Sequence, residues 1–176
     1  MDWNKFKRRW TLYLGVCLAL VSCVSCTISY GFTGASINYN EIKTIQIDNV
    51  PIRSAYVWAP MEAMFNNKLQ DQFVNQTRLS LVKRNGDLRI SGEIVGYDQY
   101  NKAISADGYS SQVQLRMTVN IRFVNNKNHS QDFERQFTAN TQYDSSQQLS
   151  SVQEELVNDM IKDLVDQIFN ATVANW

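Results

Sequence analysis

From Gln112 to Val124 the chain alternates without a break. Val113, Leu115, Met117, Val119, Ile121 and Phe123 are apolar, and Gln112, Gln114, Arg116, Thr118, Asn120 and Arg122 between them are polar. Successive side chains of a strand point to opposite faces, so this period of two predicts one long strand with a dry face and a wet face. A strand wet on one side belongs to an antiparallel sheet with a core under the other side. The rest of the chain must supply neighbours for this strand and a layer for its dry face.

The neighbours are readable. Lys43 to Val50 alternates through Ile45 and Ile47 and stops at Pro51, and residues 51–59 read as a loop. Pro60 suits a first helical position, and Met61, Met64, Phe65, Leu69 and Phe73 then repeat at helical spacing to near Gln76. Leu79, Leu81 and Val82 on one side of Asn85-Gly86, and Leu88, Ile90 and Ile94 on the other, predict a hairpin with a type I′ turn. Gly92 and Gly96 in its second strand mark bulges or close packing by a helix. Residues 98–111 read as irregular, Asn125 to Asn128 as a turn, and Phe133, Phe137, Ala139 and Tyr143 as a partner strand. Ser151 and Glu154 have the spacing of a capping box. The helix after them turns Leu156, Met160, Ile161, Leu164, Val165, Ile168 and Phe169 inward and Asp159, Lys162, Asp163, Asp166 and Asn170 outward. The expected fold is α+β: a mostly antiparallel four- to five-stranded sheet with two helices packed on one face, in a single domain over residues 42–176.

The N-terminal region reads as an export signal. Lys5, Lys7, Arg8 and Arg9 precede the apolar run Leu12–Val21, which is shorter than the roughly 20 residues a spanning helix needs. The run closes on Ser22-Cys23 and Ser25-Cys26, the arrangement of a lipoprotein signal. Residues 1–25 are therefore expected to be removed, with Cys26 as lipid anchor, Cys23 as the alternative, and residues 26–41 as a lipidated tether. Cleavage before Cys23 would leave Cys26 as an odd thiol in an oxidising compartment. All three cysteines lie in this region, so no disulfide framework or cysteine metal site is expected in the domain. The chain carries 17 basic and 17 acidic residues; four of the former and one of the latter fall in the signal, leaving a net charge of −3 after it. That balance argues against nucleic acid as a partner.

Candidate chemistry is sparse. The single histidine, His129, lies in an Asn-rich turn, a poor place to hold a base against a nucleophile. No histidine pair, metal-ligand spacing or phosphate loop is present, so neither metal nor cofactor is expected. Asp159, Asp163 and Asp166 read as a solvated helix face. The aromatic set Tyr56, Trp58, Phe65, Tyr97, Tyr100, Tyr109 and Trp176 is large for one small core and points to a protein partner or an amphiphile. Lys83, Arg84 and Arg89, beside the predicted turn, are candidates for meeting lipid phosphates.

Several segments together resemble a known family: Cys26 before Tyr30-Gly31-Phe32-Thr33-Gly34; Asn85-Gly86-Asp87-Leu88 leading to Gly92-Glu93-Ile94; Phe123 to Lys127 before Asp132-Phe133-Glu134; Tyr143-Asp144-Ser145-Ser146-Gln147; and the end from Ile168 to Trp176. In order and spacing they resemble the LptE-type lipoproteins of lipopolysaccharide assembly, over the whole mature chain. The resemblance also favours Cys26 over Cys23, by the distance to Tyr30. It implies an outer-membrane lipoprotein on the periplasmic side, without catalysis. Such a protein plugs an LptD-type β-barrel, helps assemble it and helps deliver lipopolysaccharide to the outer leaflet. Gln112, Gln114, Arg116, Asn120 and Arg122 would then face the barrel lumen, which is polar, and Lys83, Arg84 and Arg89 the lipopolysaccharide. No motif matches the basic residues assigned to lipopolysaccharide in proteobacterial members, so none is transferred. A different envelope lipoprotein, a binding module or chaperone, is the alternative.

Overall fold

The computed structural model describes residues 37–101 and 112–174. The signal, Cys23, Cys26, Tyr30, Tyr109 and Trp176 lie outside the described residues. The elements are strand β1 (Thr44–Ile47), helix α1 (Pro60–Gln76), β2 (Ser80–Val82), β3 (Leu88–Asn101), β4 (Gln112–Asn125), a 3-10 turn (His129–Gln131), β5 (Phe133–Asp144), helix α2 (Leu149–Phe169) and a π turn (Asn170–Ala174). The strands form one five-stranded sheet in the order β2-β1-β3-β4-β5.

The alternation of β4 is realised from Leu115 onward, with Val113 half-buried. Leu115, Met117, Val119, Ile121 and Phe123 are buried, and β3 and β5 flank the strand antiparallel along nearly its whole length. Gly92 stands opposite Ile121, where an added Cβ would run into the backbone carbonyl of Asn120. The close approach expected there is made by the neighbouring strand, not by a helix. The bulge expected near Gly96 lies between Ile94 and Gly96, where the register shifts. The stretch expected to be irregular from residue 98 is strand to Asn101, since β4 continues to pair it.

The Asn-Gly hairpin does not form, and the sheet is mixed. β1 lies between β2 and β3, parallel to both, so β2 and β3 never meet. Helix α1 carries the chain from β1 to β2 as a parallel pair requires. The short segment between Val82 and Leu88 then passes over β1. Of the turn pair, Asn85 alone has positive φ, at 56°, whereas a type I′ turn needs it at both residues. Gly86 serves the crossing. A Cβ there would sit 2.6 Å from the backbone nitrogen of Gln46, so only glycine lets the segment lie on β1. Asp87 fastens the crossing. Its carboxylate accepts from the N–H groups of Lys43 and Thr44 at 2.9 and 3.0 Å and pairs with Lys127 at 3.0 Å.

Both helices join the apolar residues of the sheet in one core. Met61, Phe65, Leu69 and Phe73 of α1 are fully buried, and Phe73 meets Phe169 of α2 at 5.2 Å between ring centres. From α2 the buried set is Val157, Met160, Ile161, Leu164, Val165 and Ile168, joined by Gln153. That helix begins at Leu149, so the expected capping box is absent. Ser151 already lies inside the first turn and donates to the Gln148 carbonyl instead. Asn66 of α1 is buried and pairs with both backbone groups of Val50, accepting from its N–H at 2.9 Å and donating to its carbonyl at 3.1 Å. The side chain thus acts as one more strand partner for the segment leaving β1. Ile37, in the stretch expected as tether, is buried in the same core.

Candidate functional site

Among the described residues the second face of the sheet carries no helix, and it is polar. Along β4 and β5 the register sets Arg122 opposite Glu134, Asn120 opposite Gln136, Thr118 opposite Thr138, Arg116 opposite Asn140, Gln114 opposite Gln142, and Gln112 opposite Asp144. Part of this ladder is bonded. Asn120 donates to Glu134 at 3.0 Å, and Arg116 donates to Asn140 at 3.1 Å with its guanidinium 4.8 Å above the ring of Tyr100. The five β4 residues expected to face a barrel are therefore on one surface.

Toward the end where β1 begins, this face deepens into a groove of about 430 Å³ lined by Gln46, Asn85, Arg89, Ser91, Arg122, Val124 and Asn126. The crossing segment forms one wall, held by Asn126, which donates to the Gly86 carbonyl at 2.7 Å. The two arginines differ in their surroundings. Arg89 grips Asp48, with contacts of 2.9 and 2.6 Å to one carboxylate oxygen. Arg122 forms no short ion pair among the described residues: Glu134 opposite it accepts from Asn120, and the Arg122 charge helps to lower the pKa of Asp132. Two guanidinium groups among amide and hydroxyl side chains make a site suited to an oxyanion such as a phosphate or carboxylate. Lys83 and Arg84 are exposed on the crossing segment next to Asn85. Arg89 was expected to meet lipid and Arg122 a barrel, and the structure puts both in one groove. What brings them together is the pairing of β3 with β4, Ser91 opposite Arg122, which local sequence patterns do not contain.

The acid that holds the groove wall is itself perturbed. Burial would raise the pKa of Asp87, but the bonds from Lys43, Lys127 and Thr44 outweigh it and bring the value down from 3.8 to about 2. Burial likewise works against ionisation of Asp132, and the Asn125 N–H and His129 overcome it, lowering its pKa. His129 has that carboxylate as its partner at 2.9 Å, with a side chain 70% exposed. Among the described residues no nucleophile is bonded to this pair. No group of three or more metal-ligating side chains occurs among the described residues. Of the aromatic set, Phe65 and Tyr97 belong to the core, Trp58 packs against it, and Tyr56 and Tyr100 are exposed.

A helical layer on one face of a mixed five-stranded sheet, with a polar second face and a cationic groove, defines an α+β domain of open-sheet type. Its fold is similar to that of a solved structure. A hypothetical protein from Chlamydia trachomatis, CT253, is similar at a TM-score of 0.53 with 9% identity, over 76% of this chain and 99% of that one. An uncharacterised lipoprotein B from Nitrosomonas europaea aligns at a TM-score of 0.47 with 20% identity, over 72% and 79% of the two chains. The rare lipoprotein B from Shewanella oneidensis aligns at 0.47 with 13% identity, over 72% and 92%. No curated protein sequence matches significantly. The chain belongs to the lipopolysaccharide-assembly LptE family, whose model matches residues 42–172.

Proposed function

We propose that this protein is the lipoprotein subunit of an outer-membrane lipopolysaccharide translocon. It is acylated at Cys26, or at Cys23, and held on the periplasmic side of the outer membrane. There it sits as a plug in an LptD-type β-barrel, supports assembly of that barrel and assists delivery of lipopolysaccharide to the outer leaflet, without catalysing a reaction. The observation that carries this reading is the polar second face of the sheet, free of helix among the described residues, in a member of the LptE family. A plug in a water-filled lumen needs such a face, since barrel interiors are polar. Gln112, Gln114, Arg116, Asn120 and Arg122 are the residues we assign to barrel contact. Lys83, Arg84 and Arg89, joined by Arg122 at the groove, are those we assign to lipopolysaccharide phosphates.

A crosslinking scan tests the plug. Photoreactive residues placed at 112, 114, 116, 120 and 122, and separately at Asp159 and Asp163 on the outer face of α2, should all form adducts with one large β-barrel. Adducts from the sheet face alone would indicate docking beside a barrel, and a protein extracted from membranes with no barrel attached would remove the reading.

A further inference from the structure

Asn85 is set apart from other asparagines of the chain by its surroundings. It is exposed on the segment that crosses β1, and its side-chain amide makes no hydrogen bond among the described residues. Asn66, Asn120, Asn126, Asn128 and Asn140 are tied down instead, to the Val50 carbonyl, Glu134, the Gly86 carbonyl, Ser130 and Arg116 respectively. Each of those five is also followed by a residue that carries a side chain, whereas Asn85 is followed by glycine.

The glycine opens a reaction to Asn85. Neither residue belongs to a helix or strand, and the Gly86 N–H has no acceptor among the described residues. With no Cβ beside that nitrogen, the Asn85 side-chain carbon Cγ can close on it. The positive φ of Asn85, at 56°, shows that the backbone here already departs from the extended path of the strands.

We infer that Asn85 is a site of spontaneous deamidation, and that the carboxylate so formed closes the groove to anions. Base removes the Gly86 amide proton, and the nitrogen attacks Cγ of Asn85. A new C–N bond closes a five-membered imide, the bond from Cγ to the side-chain nitrogen breaks, and ammonia leaves. Water then opens the ring at either carbonyl, giving aspartate or isoaspartate; no oxidant or cofactor takes part. Both products put a negative charge on the wall of the groove that Arg89 and Arg122 also line. Arg122 forms no short ion pair, so the new carboxylate has a cation ready to accept it and competes with any bound anion. The isoaspartate form adds a backbone carbon to a segment that fits β1 closely at Gly86, and so loosens the wall as well. The effect on binding rests on the groove being an oxyanion site; the modification does not.

Incubation of the purified full chain in mildly alkaline buffer, followed by trypsin, tests the modification. Cleavage after Arg84 and Arg89 isolates the peptide 85–89. Against a sample digested before incubation, this peptide should become one mass unit heavier and split into two chromatographic forms, while peptides carrying Asn66, Asn120 and Asn140 keep their amides. An amide that persists at Asn85 in the folded protein, where the urea-unfolded chain converts, overturns the inference; so does conversion at the other asparagines at the same rate. Titration with inorganic pyrophosphate tests the closure. Asn85→Asp should bind it about three- to ten-fold more weakly than wild type, and equal binding overturns the closure. Wild type should lose affinity as incubation proceeds, and Asn85→Gln, which cannot form the five-membered ring, should hold its own starting affinity. Wild type that does not bind pyrophosphate at all overturns the anion reading of the groove and the closure together, and leaves the modification standing on the peptide.

Discussion

The hydroxyl of Thr44 serves Asp87 twice: it donates to the carboxylate at 2.9 Å and accepts from the Asp87 N–H at 2.9 Å. With Lys43 and Lys127 this closes the segment that crosses β1 and fixes the wall of the cationic groove. Asp87→Ala should destabilise the fold by about 2–3 kcal/mol, since it strands several donors at once. Urea titration of wild type and variant checks this.

Acid should act through the same residue. The folded pKa of Asp87 is about 2 against an ordinary 3.8, a lowered value. The folded state therefore binds its proton less readily than the unfolded state, and the stabilisation is complete above 3.8 and lost as pH falls toward 2. With solvent screening allowed for, it amounts to about 1 kcal/mol. Melting temperatures from pH 6 to pH 2 should fall less steeply below pH 4 in Asp87→Asn than in wild type.

Gly86→Ala should cost about 1–3 kcal/mol, because its Cβ would meet the backbone of β1 rather than a movable side chain. Asn85→Gly, which relieves a positive φ, should be neutral or slightly stabilising. A local type I′ hairpin would make glycine matter at both positions alike, so the contrast between the two variants reports the crossing itself.

The Asn-Gly pair shows where sequence stops. It marks a place where the chain must bend, and the chain does bend there, but nothing local says which strand lies beyond the bend. Placing β1 between β2 and β3 depends on Lys43 and Thr44 meeting Asp87 across more than 40 positions. β4 and the inner faces of both helices were legible because their patterns record burial directly. The groove was half legible. Its cations were named, but under two separate roles, since only the pairing of Ser91 with Arg122 makes Arg89 and Arg122 neighbours.

Asn66→Leu should cost about 2–4 kcal/mol despite adding apolar volume, because Val50 would lose partners for both its N–H and its carbonyl. The equilibrium is read by denaturant unfolding. Exchange at the Val50 amide should rise even in conditions where the variant stays folded.

At the groove, the two arginines should differ in anion binding. Arg122→Gln should weaken binding of a lipid A phosphate about three- to ten-fold, because that guanidinium acts on Asp132 only at a distance and forms no short ion pair among the described residues. Arg89→Gln should weaken it less, since Asp48 already neutralises much of its charge. Titration of purified protein with labelled lipopolysaccharide at two salt concentrations separates the two, and equal losses would mean that the groove does not discriminate.

The position of β1 also sets an order of events. Among the described residues it is the first strand to be made, yet both of its edges await α1, β2 and the crossing segment, because its partners begin at Ser80 and Leu88. About half of the chain must exist before the first strand can settle. Until then an extended, unsatisfied leading segment is what any export or assembly machinery would hold.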